Sequence, residues 1–210
     1  MNPNGSIVVS RPTAPTELVL LFHGVGASAS GLVPLAQLIA RASSGRMVAS
    51  VEGPFASGSS GGRQWFSVQG ITEHNRLTRI AGAMPLFTRT IASWQAEAGV
   101  SPEHTALIGF SQGAIMALES TQEGSTLAGR IVSVAGRFAQ PVRRAPAGTR
   151  FHFIHGAQDD VILPRQSIEA AEALRQLGAQ VTLDVLPALG HGIDVRVADL
   201  ALAHLGAAEA

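Results

Sequence analysis

A serine that can act as a nucleophile is marked by the pattern G-x-S-x-G, which occurs twice in the chain. One copy, GFSQG, is centred on Ser111, and the other, GSSGG, is centred on Ser60. The chemistry requires a sharp turn from a strand into a helix, which exposes the hydroxyl in a strained backbone conformation. Only Ser111 has this context, because the apolar run 105–110 precedes it and the helix-forming run 114–119 follows it. We therefore predict that Ser111 is a nucleophile, and an ordinary tight turn is the alternative.

A serine nucleophile needs a histidine base, and in α/β folds with this kind of turn the chain order is serine, acid, histidine. Four histidines follow Ser111. His152 and His155 lie in or beside a predicted strand, and the chain between Ser111 and them leaves little room for a separate strand that carries the acid. His204 lies in a helical run. His191 follows a predicted strand in a glycine-flanked loop, where α/β folds place reactive groups, and we predict that it is the base.

The acid that orients the histidine must lie between Ser111 and His191. The other acidic residues of this segment fall mainly in predicted helices or, like Asp184, inside a predicted strand. Asp159 and Asp160 remain, directly after the strand that ends near residue 155. An aspartate here would hold the imidazole in the required tautomer and stabilise the imidazolium. The spacing does not separate these two neighbours.

The oxyanion of a tetrahedral intermediate needs backbone N–H donors. One is expected from Gln112, directly after the nucleophile, and the other from the loop FHGVG that follows an early apolar strand, with Val25 as the best candidate. A glycine-rich loop after a strand also occurs in dinucleotide-binding proteins. The full G-x-G-x-x-G pattern is absent, however, since Gly24 and Gly26 are followed by Ser28 and Ala29. We therefore predict no nucleotide cofactor.

Three histidines raise the question of a metal site. His23 precedes the glycine-rich loop, and His152 and His155 lie three residues apart in a predicted strand. Residues three apart in a strand point to opposite faces, so this pair is poorly placed to chelate one ion. We interpret all three as structural and predict no metal and no other cofactor.

Short β-rich runs alternate with longer segments of helical period, which predicts an α/β fold with a mostly parallel sheet and helices on both faces. Strands are predicted near residues 6–10, 17–22, 47–52, 105–110, 130–135, 150–155 and 181–186. Helices are predicted near 32–41, 112–121, 165–177 and 194–205, and around the apolar stripe Ile80, Met84, Phe87, Ile91 and Trp94. We expect a single domain over residues 1–210, in which the Gly- and Ser-rich stretch 53–63 is a flexible loop.

The composition limits the function classes. The 210 residues are 46% hydrophobic and 14% charged, which excludes general disorder, and the formal net charge is zero. Bulk electrostatics therefore favour neither nucleic acid nor an anionic membrane surface. There are no cysteines, so thiolate catalysis and disulfides are excluded. The amino terminus lacks a secretory pattern and no apolar run is long enough to span a membrane, so we expect a cytoplasmic monomer or homodimer.

Five segments together resemble the bacterial phospholipase/carboxylesterase family, which is similar to acyl-protein thioesterases and dienelactone hydrolases. They are LLFHGVG (20–26), GRQWFSV (62–68), GFSQGAIMALES (109–120), HGAQDDVI (155–162) and LGHGID (189–194). The resemblance covers nearly the whole chain, and the GRQWFSV motif is much more specific than G-x-S-x-G. It implies an α/β-hydrolase fold without a cap domain.

The resemblance also implies roles for individual residues. It makes Ser111 the nucleophile, His191 the base and Asp159 the acid, with Val25 and Gln112 as oxyanion donors. The expected activity is hydrolysis of carboxylic esters with short-to-medium acyl chains through an acyl-serine. Deacylation of proteins or lysophospholipids and a non-catalytic ligand receptor are the alternatives. Trp65 and Phe66 are predicted either to form a wall of the substrate pocket or to anchor their loop on the core.

Overall fold

The computed structural model describes residues 5–58, 61–124 and 126–206. The strands in these ranges are β1 (Ile7–Ser10), β2 (Glu17–Phe22), β3 (Arg46–Val51), β4 (Phe55–Ser57), β5 (Gly62–Gln64), β6 (Thr105–Phe110), β7 (Arg130–Val134), β8 (Arg150–Gly156) and β9 (Gln180–Leu186). The α-helices are α1 (Val33–Arg41), α2 (Glu73–Ala98), α3 (Gln112–Ser120), α4 (Arg165–Gln176) and α5 (Val195–Leu205). The seven predicted strands and five predicted helices are all present, which confirms the α/β prediction.

The main sheet has seven strands in the order β1-β3-β2-β6-β7-β8-β9. All neighbouring pairs are parallel except β1 with β3, which lies at one edge and is antiparallel. Because parallel strands end at the same edge, the connections that follow β2, β6, β8 and β9 meet there. These four connections carry the residues that the sequence predicts for chemistry.

Helices cover both faces of the sheet, so the central strands are buried on both sides. The face that carries Leu18, Leu20 and Phe22 packs against α2, α3 and α4. The opposite face, with Val19 and Leu21, packs against α1 and α5. This explains why the central strands are nearly continuous apolar runs. Among the described residues, no helix is both long and apolar enough to cross a membrane.

The stretch 53–63, predicted as a flexible loop, is instead largely a hairpin. β4 and β5 pair antiparallel, with Phe55 opposite Gln64. The side chain of Gln64 also donates to the carbonyl of Ala56 at 2.7 Å. Strands of three residues in a Gly- and Ser-rich segment have no apolar alternation, so the sequence pattern did not reveal them. Ser60, the serine of the second G-x-S-x-G, lies outside the described residues.

The two histidines of β8 lie on opposite faces of the sheet, as the strand period predicts. His155 meets Ser167 of α4, whereas His152 stacks on His204 of α5 with ring centroids 4.4 Å apart. The Nδ1 atom of His152 lies 2.9 Å from Thr182 Oγ1. Burial, with further repulsion from His204, Arg130 and Arg150, lowers the pKa of His152 from 6.5 to about 4, against a weaker attraction from Asp184.

This lowered pKa predicts a pH-dependent stability. Below pH 6.5 the unfolded chain binds a proton at His152 that the folded chain does not, so stability is lost as the pH falls towards about 4. We expect His152→Gln to reduce the fall in melting temperature over this interval, measured by circular dichroism. His74→Gln at an exposed position is the control. An equal fall in His152→Gln and in the wild type would contradict the prediction.

Candidate active site

Ser111 lies on the turn between β6 and α3 and has φ 52° and ψ −114°, an unusual conformation for a residue with a side chain. Its backbone N–H donates to the carbonyl of Val134 at 3.0 Å. The flanking glycines are required by close contacts. A Cβ on Gly113 would lie 2.1 Å from the carbonyl oxygen of Phe22, and one on Gly109 would lie 2.4 Å from the Cα of Ala114. The predicted strand-to-helix turn is therefore built as the G-x-S-x-G pattern requires.

The structure brings Ser111, His191 and Asp159 into one hydrogen-bonded row. His191 Nε2 lies 2.9 Å from Ser111 Oγ, and His191 Nδ1 lies 2.8 Å from Asp159 Oδ2. Asp159 is buried, whereas its neighbour Asp160 is exposed. The two aspartates that spacing did not separate therefore have different environments, and Asp159 is the one that contacts the histidine.

Asp159 is a buried carboxylate with several donors around it. Its Oδ1 accepts the backbone N–H groups of Val161 at 3.0 Å and Ile162 at 2.9 Å, while Oδ2 accepts from His191. Burial by itself raises the pKa of Asp159, but the bonds from His191, Ile162 and Val161 together outweigh it and hold the pKa below its ordinary value. An ionised Asp159 requires a hydrogen on His191 Nδ1, so the Nε2 lone pair faces the serine.

Two backbone N–H groups, on the connections after β2 and β6, are the candidates for binding an oxyanion. Gln112 is the first residue of α3, where a helix leaves its N–H groups without internal partners. Val25 lies on the loop after β2 and is 39% exposed. Among the hydrogen bonds of the described residues, none uses the N–H of Val25 or of Gln112. The predicted donors thus lie on the two connections that the sequence indicated.

The loop that carries Val25 is held by backbone bonds to β5. The Gly26 N–H donates to the Arg63 carbonyl at 2.8 Å, and the Arg63 N–H donates to the Ala27 carbonyl at 2.7 Å. The backbones approach so closely that a Cβ on Gly62 would lie 2.1 Å from the Gly26 oxygen. No strand or helix pattern predicts this support, although the specific GRQWFSV motif covers the residues that provide it.

A second set of bonds ties the same segment to the nucleophile turn. The side chain of Gln112 accepts the Trp65 N–H at 2.7 Å and donates to the Phe66 carbonyl at 2.8 Å. The indole N–H of Trp65 donates to the His23 carbonyl at 2.8 Å. Segment 62–66 therefore connects the loop after β2 with the start of α3, which carry the two candidate oxyanion donors.

Trp65 and Phe66 are both buried, at 3% and 4% exposure, and belong to the hydrophobic core. Trp65 packs edge-on against Phe22 and Phe87. It also lines a cavity of about 550 Å³, whose described lining residues do not include Ser111 or His191. This placement favours the anchoring interpretation, and a role of the two aromatics in the substrate pocket stays a prediction.

His23 orders the start of the loop after β2. Its Nδ1 donates to the Gly24 carbonyl at 2.7 Å, and its Nε2 accepts the Gly53 N–H at 2.9 Å, so the ring is a neutral imidazole. Burial lowers its pKa, with a smaller raising effect from the Gly24 bond. His23 therefore has a structural role in this loop, in agreement with the interpretation from the sequence.

The sheet order, the strained serine turn and the hydrogen-bonded row define a protein with an α/β-hydrolase-type fold. The chain belongs to the phospholipase/carboxylesterase family, since the model of that family matches residues 3–208. It is 46% identical over 199 residues to esterase YpfH of Escherichia coli strain K12, an alignment that covers 94% of this chain and 86% of the relative. The family resemblance inferred from the five motifs is thereby confirmed.

Solved structures show the same fold. Esterase PE8 superposes with a TM-score of 0.86 at 27% identity, covering 96% of this chain and 97% of that protein. The Bacillus cereus carboxylesterase superposes with a TM-score of 0.80, covering 95% and 92% of the two chains. At 19% identity the second comparison shows the fold alone.

The contact between Gly62 and Gly26 predicts a specific loss of activity. We expect Gly62→Ala to displace the loop that carries Val25 and to lower kcat for a simple aryl ester by roughly 100- to 1,000-fold, the range for a lost oxyanion donor. Gly31→Ala is the matched control, because an added Cβ there meets no heavy atom within 4 Å. Equal activities of the two variants would contradict the assigned support.

Proposed function

We propose that the protein is a serine carboxylesterase that hydrolyses small carboxylic esters through an acyl-serine intermediate. The observation that carries the proposal is the row Ser111–His191–Asp159, with contacts of 2.9 and 2.8 Å. The family membership and the 46% identity to a protein named an esterase support the same reaction class.

In the proposed acylation step, Ser111 Oγ attacks the ester carbonyl while its proton moves to His191 Nε2. The negative charge that develops on the carbonyl oxygen is stabilised by the N–H groups of Val25 and Gln112. Asp159 stabilises the imidazolium and keeps its ring oriented. The tetrahedral intermediate then expels the alkoxide, which takes the proton from Nε2 and leaves as the alcohol.

In the proposed deacylation step, water takes the place of the alcohol. His191 removes a proton from the water as its oxygen attacks the acyl carbon, and a second tetrahedral intermediate forms at the same oxyanion donors. Its collapse breaks the bond to Ser111 Oγ, and His191 returns the proton to the serine. The products are a carboxylic acid and the free enzyme, so the cycle needs no cofactor.

The first prediction of this mechanism concerns the nucleophile. Ser111→Ala should lower kcat for a simple aryl ester on the order of a million-fold, because the attacking oxygen is removed. The fold should persist, since the change deletes one atom. Ser60→Ala, in the second G-x-S-x-G pattern, should leave turnover nearly unchanged, and an exchange of the two results would overturn the assignment.

The second prediction separates the adjacent acids. Asp159→Asn should lower kcat by roughly ten-thousand-fold, because an amide favours the wrong imidazole tautomer. Asp160→Asn is the matched control and should cost far less, since Asp160 is exposed and adjacent to the carboxylate that contacts His191. Steady-state kinetics at saturating ester measure both. Comparable losses would remove the basis for choosing Asp159.

The third prediction concerns acyl chain length. The connection 135–149 between β7 and β8 contains no helix or strand, and all of its residues are described. Val25 and Val161, on connections that carry site residues, are 39% and 66% exposed. We infer from these features an open site, which would bury an acyl chain only in part, although a fully buried CH₂ group contributes about 0.8 kcal/mol.

We therefore expect kcat/KM for aryl esters to peak at acyl chains of roughly two to six carbons and then to decline. Parallel ester and thioester series of increasing chain length measure this. A steady rise through palmitoyl chains would instead require a deep acyl tunnel and would favour a lipid or protein deacylase.

A further inference from the structure

His155 is a buried histidine beside the candidate acid, and the proposed reaction does not use it. It is the penultimate residue of β8, four positions before Asp159, and is only 1% exposed. Its side chain lies on the face of the sheet covered by α4. A fully buried imidazole needs partners for both ring nitrogens, and the identity of those partners indicates its role.

The ring of His155 connects the acid turn to α4. Its Nε2 lies 2.7 Å from the carbonyl oxygen of Ile162 and 3.1 Å from Oδ2 of Asp159. Its Nδ1 lies 2.7 Å from Oγ of Ser167. The Oδ2 atom near His155 is the same oxygen that accepts the hydrogen bond from His191.

The partners determine where the ring hydrogen lies. A carbonyl and a carboxylate are acceptors only, so Nε2 carries a hydrogen towards Ile162 and Asp159. On the other side of the ring, Ser167 Oγ lies 2.7 Å from Nδ1, and its hydroxyl donates to the Gly136 carbonyl at 3.1 Å. His155 therefore presents its positive edge to the buried carboxylate.

The turn at residues 159–162 is stabilised by hydrogen bonds to both backbone groups of Ile162. The N–H of Ile162 donates to Oδ1 of Asp159, while the carbonyl of Ile162 accepts from His155. The conformation of residues 159–162, and with it the direction of the carboxylate, thus depends on the imidazole behind it. A histidine that only fills the core would not contact both the turn and the carboxylate oxygen bonded to His191.

We propose that His155 is a positioning residue for Asp159. It fixes the acid turn through Ile162 and stabilises the ionised carboxylate at Oδ2, the oxygen that also accepts from His191. The role rests on the proposed acyl-serine mechanism, in which Asp159 must keep His191 in one tautomer and orientation. His155 touches neither substrate nor the reacting atoms, so its effect passes through Asp159.

Two amide substitutions distinguish the contribution of the Nε2 contacts from that of the Nδ1 contact. In His155→Gln the longer side chain can return an N–H group to the position of Nε2. In His155→Asn the shorter amide reaches only the Nδ1 side, towards Ser167, and leaves Ile162 and Asp159 without their donor. Ser167→Ala is the control for damage to the same buried site, because it leaves both contacts of Nε2 in place.

We expect His155→Asn to lower kcat for a short aryl ester by roughly 10- to 100-fold with little change in KM, the range for a lost hydrogen bond to a charged group. The acidic limb of the pH profile of kcat/KM should move to lower pH, because a less well-placed carboxylate stabilises the imidazolium less. His155→Gln should recover most of the activity and the position of that limb. Ser167→Ala should show a smaller loss with the limb unmoved.

Equal losses of kcat in His155→Gln and His155→Asn, with the acidic limb unmoved, would show that His155 is only a packing residue and would overturn the proposal. Wild-type kinetics in His155→Asn would overturn it as well. If the Asn variant does not fold, His155→Gln still tests the proposal, because near-wild-type kcat would support it and a loss of 10-fold or more with the limb unmoved would overturn it. A wild type without ester turnover would instead refute the proposed function. In that case the positioning role can still be tested by proton NMR, through the downfield resonance of the hydrogen bond between His191 and Asp159. We expect this resonance to shift in His155→Asn and to stay at its wild-type position in His155→Gln.

Discussion

The buried carboxylate of Asp159 is the constraint around which the candidate site is arranged. A charge that is 2% exposed is costly unless every oxygen has donors, and here one oxygen takes two backbone N–H groups while the other faces two imidazoles. Because Asp159 needs a donor, the ring hydrogen of His191 lies on Nδ1. The other ring nitrogen, Nε2, is then free to accept a hydrogen bond from Ser111. The electrostatic requirement of one buried group thus orders residues from three separate connections.

The second requirement is close approach between backbones at the edge where the parallel strands end. Gly113 lies against the carbonyl of Phe22, and Gly62 lies against the carbonyl of Gly26. Both contacts are so close that a Cβ on either glycine would clash. Segment 62–66 then spans the gap between the loop after β2 and the start of α3. In the proposed mechanism, this support would preorganise the N–H groups of Val25 and Gln112 for binding an oxyanion.

Much of the fold and the candidate row could be predicted from sequence, because strand and helix periods and the chain order of reactive residues are local or sequential signals. Continuous apolar runs such as Leu18 to Phe22 indicated buried parallel strands, and Ser111 was distinguishable from Ser60 by its flanking elements. The hairpin at Phe55–Ser57 and Gly62–Gln64 was not predictable, since three-residue strands have no measurable period. The preference for Asp159 over Asp160 and the contact of His155 depend on burial and on distances across the fold, which spacing does not encode.

In the proposed mechanism every turnover passes through an ester bond between the acyl group and Ser111, and this bond can be trapped. The protein is mixed with a short aryl ester, quenched in acid within the first turnovers, digested and examined by mass spectrometry. We expect one acyl group on the peptide that contains Ser111, and none on the same peptide of Ser111→Ala. An acyl group on a different residue, or steady hydrolysis by Ser111→Ala at the wild-type rate, would contradict it.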